Sequence, residues 1–404
     1  MVSSLDGLRV LDLSRVLAGP LCTQILGDLG ADIIKIERPG AGDDTRGWGP
    51  PFLKDRGGKD TGESAYYLCC NRNKKSVTVD ISRPEGQQII RDLIAQSDIV
   101  IENFKVGGLE KYGLGYAQMK DQFPQLIYCA ISGFGQNGPL AAEPGYDFMA
   151  QAMGGLMAAT GASDGQPMKA GVAVSDVMTG LYATIGILAA LRHRDQTGQG
   201  QMVDVALLDV TLAGMVNLAQ YYLTSGTVAP RLGNAHATIV PYQVFDTSDS
   251  HIVIAVGNDA QFSRLCRVLS VPEWAEDARF KTNAARVTHR DVLVPLLAAQ
   301  IQTRTTAEWM ALFTERDVPA APVNRMDQVF VMDQVKARGM TVSLPHPATD
   351  RPADLVGSPL KLSVSPVTYR HAPPLLGADT AAVLADWLGV SQVQIKTWRE
   401  TGVI

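Results

Sequence analysis

The chain has 404 residues, enough at roughly 150 per domain for two or three domains, each with a substantial core. Apolar residues make up 46% and charged ones 19%, which excludes a disordered, collagen-like or coiled-coil protein. The formal net charge of −5 provides no general attraction for nucleic acid or an anionic membrane, so a polyanionic ligand would need a locally basic site.

The first 135 residues alternate short β-branched runs with helical patterns. Leu8–Leu13 reads as a strand, and Gly19-Pro20 opens a helix to about Leu29, with the proline suited to a first turn. Ala31–Glu37 and Ser76–Ile81 are the next strands. Pro84 starts a helix to about Gln96, and Asp98–Glu102 and Gln125–Ser132 supply two more strands. Strand–helix repetition with nearly continuous apolar strands predicts a parallel sheet covered on both faces, the doubly wound α/β class. From Tyr146 the pattern changes to Ala-, Gly- and Met-rich helices at about 146–159, 176–195 and 206–224. Thr227–Phe245 reads as irregular. His251–Val256 then leads as a strand into helices near Ala260–Leu269, Arg290–Thr303 and Thr305–Arg316, the last opened by a Thr305/Glu308 capping box. A helix near Met326–Arg338 and a Pro-rich tail precede two helices at about 377–388 and 391–401. The expected organisation is a large domain from 1–225, a smaller α+β domain from 226–325, and a return segment from 326–404.

Five cysteines (Cys22, Cys69, Cys70, Cys129, Cys266) without a CxxC spacing point to free thiols rather than disulfides or a zinc site. No two of the six histidines stand at ligand spacing, so no metal is expected. The opening MVSSLDGLRV has neither a basic nor an apolar leader region, and the apolar run Gly180–Leu191 is shorter than the ~20 residues of a membrane span. A cytoplasmic protein without membrane or nucleic-acid partners is the expectation.

In an open parallel sheet, ligands bind beyond the carboxyl ends of the strands. Here those ends are Ser14–Ala18, Arg38, Ile81-Ser82, Asn103-Phe104 and Gly133–Gly138, a set of glycines, amides, an arginine and an aromatic ring suited to a nucleotide-like ligand. Gly133-Phe-Gly-Gln-Asn-Gly138 is a literal GxGxxG after a strand, but Pro139 follows at once and no helix begins inside it, so an NAD-binding oxidoreductase is the weaker reading. Gly161-Ala-Ser-Asp-Gly165 is a literal GxSxG that follows a helix, where a nucleophile elbow follows a strand. Asp176 begins a long apolar helix, and it reads either as a plain N-cap or as a carboxylate nucleophile kept ionised by the helix start. His236 lies in a loop that could face a site. Lys74-Lys75 reads as a solvated loop or a phosphate contact.

These residues resemble the family III CoA-transferases over nearly the whole chain. The resemblance is carried by Leu5-x-Gly-x-x-Val-Leu-Asp12 with Gly19-Pro20, Gly30-Ala-Asp32 through Lys35-Ile-Glu-Arg-Pro-Gly40, Asn73-Lys-Lys-Ser76 and Glu102-Asn-Phe104. It continues through Gly145-Tyr-Asp147, the Asp176 segment, Thr197-Gly-Gln-Gly-Gln201 and Pro374-Leu-Leu-Gly377. It implies a Rossmann-like large domain in an interlocked homodimer, and Asp176 as the nucleophile that forms an aspartyl covalent intermediate. It implies CoA contacts at Leu17, Ala18, Arg38, Val79, Asp80, Asn103, Phe104, Lys111 and Tyr146, with acyl-CoA and a carboxylic acid as substrates and no tightly bound cofactor. The α-methylacyl-CoA racemases of the same family place a histidine where this chain has Tyr146, which disfavours racemisation. A non-catalytic CoA-binding protein is a weaker reading still.

A narrower resemblance, to the succinyl-CoA:glutarate group, rests on Arg15–Pro20, Pro39–Arg46 with Trp48–Phe52, Asn71–Lys75, Ala235-His236 with Ile239–Gln243, and Gly257-Asn258 with Gln261-Phe262. It implies succinyl-CoA as donor and a dicarboxylate such as glutarate as acceptor. The free carboxylate of such an acid needs a cation, and Arg46 is the expected one by its bidentate geometry, with His236 as a second substrate residue.

Overall fold

The computed structural model describes residues 2–404. Six parallel strands form the main sheet: β1 Arg9–Asp12, β2 Asp32–Glu37, β3 Lys74–Thr78, β4 Ile99–Glu102, β5 Ile127–Ser132 and β6 Met202–Ala206. Their order, β3-β2-β1-β4-β5-β6, reverses between β1 and β4, which is the doubly wound arrangement expected from the sequence. Alternate strand residues feed two cores. Leu11, Ile34, Val100 and Tyr128 pack on one face with Ile89, Ile90 and Leu93 of helix Pro84–Ile94, while Val10, Ile33, Ile99 and Ile127 pack on the other with Cys22 and Leu26 of helix Ala18–Asp28. Both faces are covered, which is why β1, β2, β4 and β5 are rich in apolar residues, although Asp12, Lys35, Glu37 and Lys74 are buried among them.

Five helices position the site: α1 Ala18–Asp28, α2 Pro84–Ile94, α3 Asp147–Met153, α4 Val174–Thr197 and α5 Leu207–Gly214. α4 lies along α1 and buries Gly180, Ala183, Ile187 and Ala190. It is the one helix among the described residues long and apolar enough to cross a membrane, but one side of it is part of this core. Two long helices expected from composition are interrupted. The run 146–159 stops after Met153, where Gly154 is followed by Gly155 at φ +86°, and the run 206–224 breaks at Val216, whose φ is +30°. Strand β6 had no recognisable signal, since it is a short edge strand running straight into α5.

The chain divides into two compact units, one of residues 2–156, 169–220 and 333–404 and one of 157–168 and 221–332. The second is α+β, with an antiparallel sheet in the order β9-β8-β7, from β7 Tyr242–Asp246, β8 His251–Ala255 and β9 Ala320–Pro322. β7 falls in the segment the sequence suggested was irregular. Helices α6 Asp259–Val268, α7 Arg290–Ile301 and α8 Thr306–Glu315 bury Phe262, Leu297, Trp309 and Phe313 against Ile252 and Ile254. The capping box at Thr305 is formed as expected: Glu308 N–H donates to the Thr305 hydroxyl at 3.3 Å, and Thr305 N–H donates to Glu308 Oε2 at 2.9 Å.

The return segment adds a hairpin, β10 Thr341–Pro345 and β11 Pro352–Val356, and helices α9 Thr380–Leu388 and α10 Gln392–Glu400. It covers the open edge of β3. Ser76 N–H donates to Asp379 Oδ2 and Thr78 N–H to Thr380 Oγ1, so the edge donors are satisfied within the first unit.

Candidate active site

At the carboxyl edge of the sheet a cleft of about 430 Å³ is lined by Leu17, Ala18, Asn103, Phe104, Lys111, Tyr146, Asp147 and Asp176, among others. Asp176 stands in the first turn of α4. It does not cap that helix: Asp147 does, its Oδ1 accepting from the N–H groups of Ser175 at 2.9 Å and Asp176 at 3.2 Å. The donors that were expected to favour an ionised Asp176 are therefore spent on a neighbouring carboxylate. Burial, reinforced by the charge of Asp147, instead pushes the Asp176 carboxyl up to about 7. Asp147 is itself fixed by Gln151, whose Nε2 donates to Oδ2 at 2.7 Å.

Gly180, one turn beyond Asp176, explains how closely α4 approaches the cleft wall. A Cβ built on it would lie 2.7 Å from the carbonyl oxygen of Ala18. Gly180→Ala should therefore push α4 away from Ala18 and lower kcat by about 10-fold or more, because a misplacement of about 1 Å at a cleft wall is costly. Steady-state kinetics beside a crystal structure of the variant would check this.

A second cavity of about 420 Å³ is lined by Arg38, Val79, Asp80 and Ser82, and it shares Arg15, Phe104 and Tyr112 with the first. All nine residues implied as CoA contacts thus line one or the other of two adjoining cavities. Asn103 has a further role, since its amide bonds both backbone groups of Arg15.

Arg46 is not available for a substrate carboxylate. Its Nε and Nη2 donate to the two oxygens of buried Glu37, each at 2.8 Å, and Nη2 also donates to Tyr67 Oη and the Pro374 carbonyl. The bidentate geometry invoked for a ligand is consumed by an internal partner. His236 lies in the second unit, exposed, with Nδ1 accepting from Thr238 N–H and its ring 5.4 Å from that of Tyr242. Lys74 is neither solvated nor a phosphate ligand; its ammonium is buried 3.2 Å from Asp12. Gly133 serves a chain crossing rather than a dinucleotide, because a Cβ there would meet the Gly145 backbone at 2.4 Å.

One cleft residue that was given no role of its own from sequence is Asp147, which caps α4. Burial, with the charge of Asp176, pushes the hydroxyl of Tyr66 up to about 12, but Tyr66 is not among the residues that line the cleft. Trp48 packs edge-on against the Tyr66 ring at 5.1 Å.

Residues 5–380 match the family model described as CoA-transferase family III. The chain belongs to this family. It is 46% identical over 383 residues to the succinate–glutarate CoA-transferase of Agrobacterium fabrum, covering 95% of each chain. It is 41% identical to the human succinyl-CoA:glutarate CoA-transferase over 403 residues, covering 100% of this chain and 90% of that protein. Its structure matches the crystal structure of a CAIB/BAIF family protein from Brucella suis with a TM-score of 0.88 and 45% identity, covering 96% of this chain and 100% of that one. The family III chain is thus a CoA-transferase, and its substrates are an acyl-CoA and a carboxylate.

Proposed function

We propose that this CoA-transferase moves CoA from succinyl-CoA to a dicarboxylic acid such as glutarate through a covalent intermediate on Asp176. The observation that carries the mechanism is a part-buried carboxylate at a helix start, at the foot of a cleft that adjoins a second cavity with an arginine at its rim. The activities of the relatives support the substrates. In this reading the nucleotide end of CoA occupies the cavity of Arg38 and Asp80, and the thiol arm passes Phe104 to reach Asp176.

The ionised Asp176 attacks the thioester carbonyl; a C–O bond forms, the C–S bond breaks, and CoA leaves as thiolate from a mixed anhydride. The thiolate then attacks the Asp176 carbonyl of the anhydride and releases succinate, leaving an aspartyl-CoA thioester. The acceptor carboxylate repeats both steps in reverse order, so that acyl-CoA departs and Asp176 is regenerated. Energy is conserved as thioester or anhydride throughout, provided water is kept from the cleft.

Only the ionised carboxylate attacks. With its carboxyl pushed up to about 7, kcat/KM for succinyl-CoA should fall as the pH drops through about 7. Asp147→Asn removes a negative charge beside it and should move that limb to lower pH. A pH–rate profile of both proteins, run with a panel of C4 to C6 diacids and matched monoacids, tests mechanism and substrate together. A preference for monoacids would overturn the dicarboxylate assignment.

We further infer a homodimer in the cytoplasm. The side of α4 turned away from α1 exposes Leu181, Tyr182, Ile185 and Leu188, with Phe148 and Met153 of α3 also bare, an apolar patch that a second copy would cover. Ile185→Glu should shift the mass measured by light scattering from dimer to monomer.

A further inference from the structure

The stretch Leu13–Leu17 joins β1 to α1 and brings Leu17 and Ala18 to the cleft that Asp176 lines. It has no regular structure, yet side chains from elsewhere take its backbone groups one after another. Ser14 N–H donates to Asp12 Oδ1 at 2.9 Å, and the Ser14 carbonyl accepts from Lys35 Nζ at 2.8 Å. Arg15 N–H donates to Asn103 Oδ1 at 2.9 Å, and its carbonyl accepts from Asn103 Nδ2 at 2.7 Å. Val16 N–H lies 3.3 Å from both oxygens of Asp43.

Val16 has φ +73°. A β-branched residue is strained in that region and stays there only when its surroundings impose it. Lys35 and Asp43, 2.8 Å apart, are both fully buried. A buried ion pair is a poor source of net stability compared with apolar packing of equal volume, so its presence asks for another reason. Although burial opposes its charge, the carboxylates of Asp43, Asp12 and Glu37 keep Lys35 protonated.

We propose that the Lys35–Asp43 pair is a positioning element for CoA transfer: Lys35 holds the Ser14 carbonyl, Asp43 holds the Val16 amide, and together they fix Val16 left-handed with Leu17 and Ala18 set against Asp176. Displacement of the loop is transmitted directly, because Ala18 touches α4 at Gly180. For its activity arm this rests on Asp176 being the nucleophile; its structural arm does not.

The test is a double-mutant cycle. Asp43→Asn should lower kcat by about 10-fold or more. Glycine adopts positive φ without steric cost, so in a Val16→Gly background the same change should cost about threefold or less. Equal losses in the two backgrounds would overturn the proposal. Hydrogen exchange on the full chain supplies the second readout: the Val16 amide should exchange slowly in the wild type and fast in Asp43→Asn, with α4 unchanged, whereas undiminished protection would overturn it. Should the amide variant fail to fold, Asp43→Glu keeps the buried charge while moving the carboxylate by one methylene, and the same comparison applies. A wild type that forms no adduct on Asp176 would overturn the mechanism, and the exchange measurement would still decide the role of the pair.

Discussion

Asp176→Asn should lower kcat for CoA transfer by at least ~10⁴-fold, the scale of loss when a covalent nucleophile is removed. It should at the same time raise the melting temperature. In the native state burial and Asp147 raise the carboxyl from its ordinary value to about 7, so the fold binds a proton that the unfolded chain releases. The protonated acid fits the site, and stability is lost as the pH rises towards and through 7. An amide does not ionise and avoids that loss. The gain in melting temperature over wild type should therefore be a few degrees at pH 8 and shrink towards pH 5, as calorimetry across that range would show. A variant that is inactive and less stable at pH 8 would mean that Asp176 is held by favourable contacts, and the account of a strained, reactive carboxylate would be wrong.

Arg46→Ala should destabilise the fold rather than weaken substrate binding. The guanidinium is paired with Glu37 through two 2.8 Å bonds, stacks on the Tyr67 ring with its carbon 3.7 Å from the centroid, and reaches the return segment at Pro374. Its removal leaves Glu37 as a buried charge without that partner, which costs about 3–5 kcal/mol. Arg46→Met combined with Glu37→Gln removes both charges and should be distinctly milder than the two single changes summed. Denaturant melts of the wild type, Arg46→Ala, Arg46→Met, Glu37→Gln and the double variant check this. If Arg46→Ala melts like the wild type and only the KM for glutarate rises, the arginine is a substrate ligand after all.

Much of the architecture could be read along the chain because it is repeated locally. Strands β1, β2, β4 and β5 feed both cores, so each declares itself by its apolar residues, and the proline-led starts of α1 and α2 punctuate them. β6 was missed although four of its five residues are apolar, because it is a short edge strand that runs straight into α5, and β7, Tyr242–Asp246, because polar residues at Gln243 and Asp246 interrupt it. The position of Asp176 at a helix start was also legible, but not the sign of its electrostatics. That depends on Asp147, which lies 29 residues upstream and arrives by tertiary packing to take the helix donors. Arg46 was misread for the converse reason. A lone arginine in a loop looks free, and nothing local says that Glu37, at the end of β2, is waiting for it.

The same distinction separates what recognition of the family supplies from what the geometry adds. Motifs implied CoA contacts at residues mostly at or near the strand ends, and each of those residues lines one of two adjoining cavities. The means by which the Ser14–Val16 backbone is gripped emerges only from hydrogen bonds to four side chains scattered between positions 12 and 103.

The central claim is that Asp176 carries CoA. Incubation with succinyl-CoA without an acceptor, followed by rapid acid quench and peptide mass mapping, should find CoA joined as a thioester on the peptide containing Asp176. The adduct should disappear on addition of glutarate and never form in Asp176→Asn. An adduct on any other residue, or turnover to glutaryl-CoA by Asp176→Asn at the wild-type rate, would contradict the account.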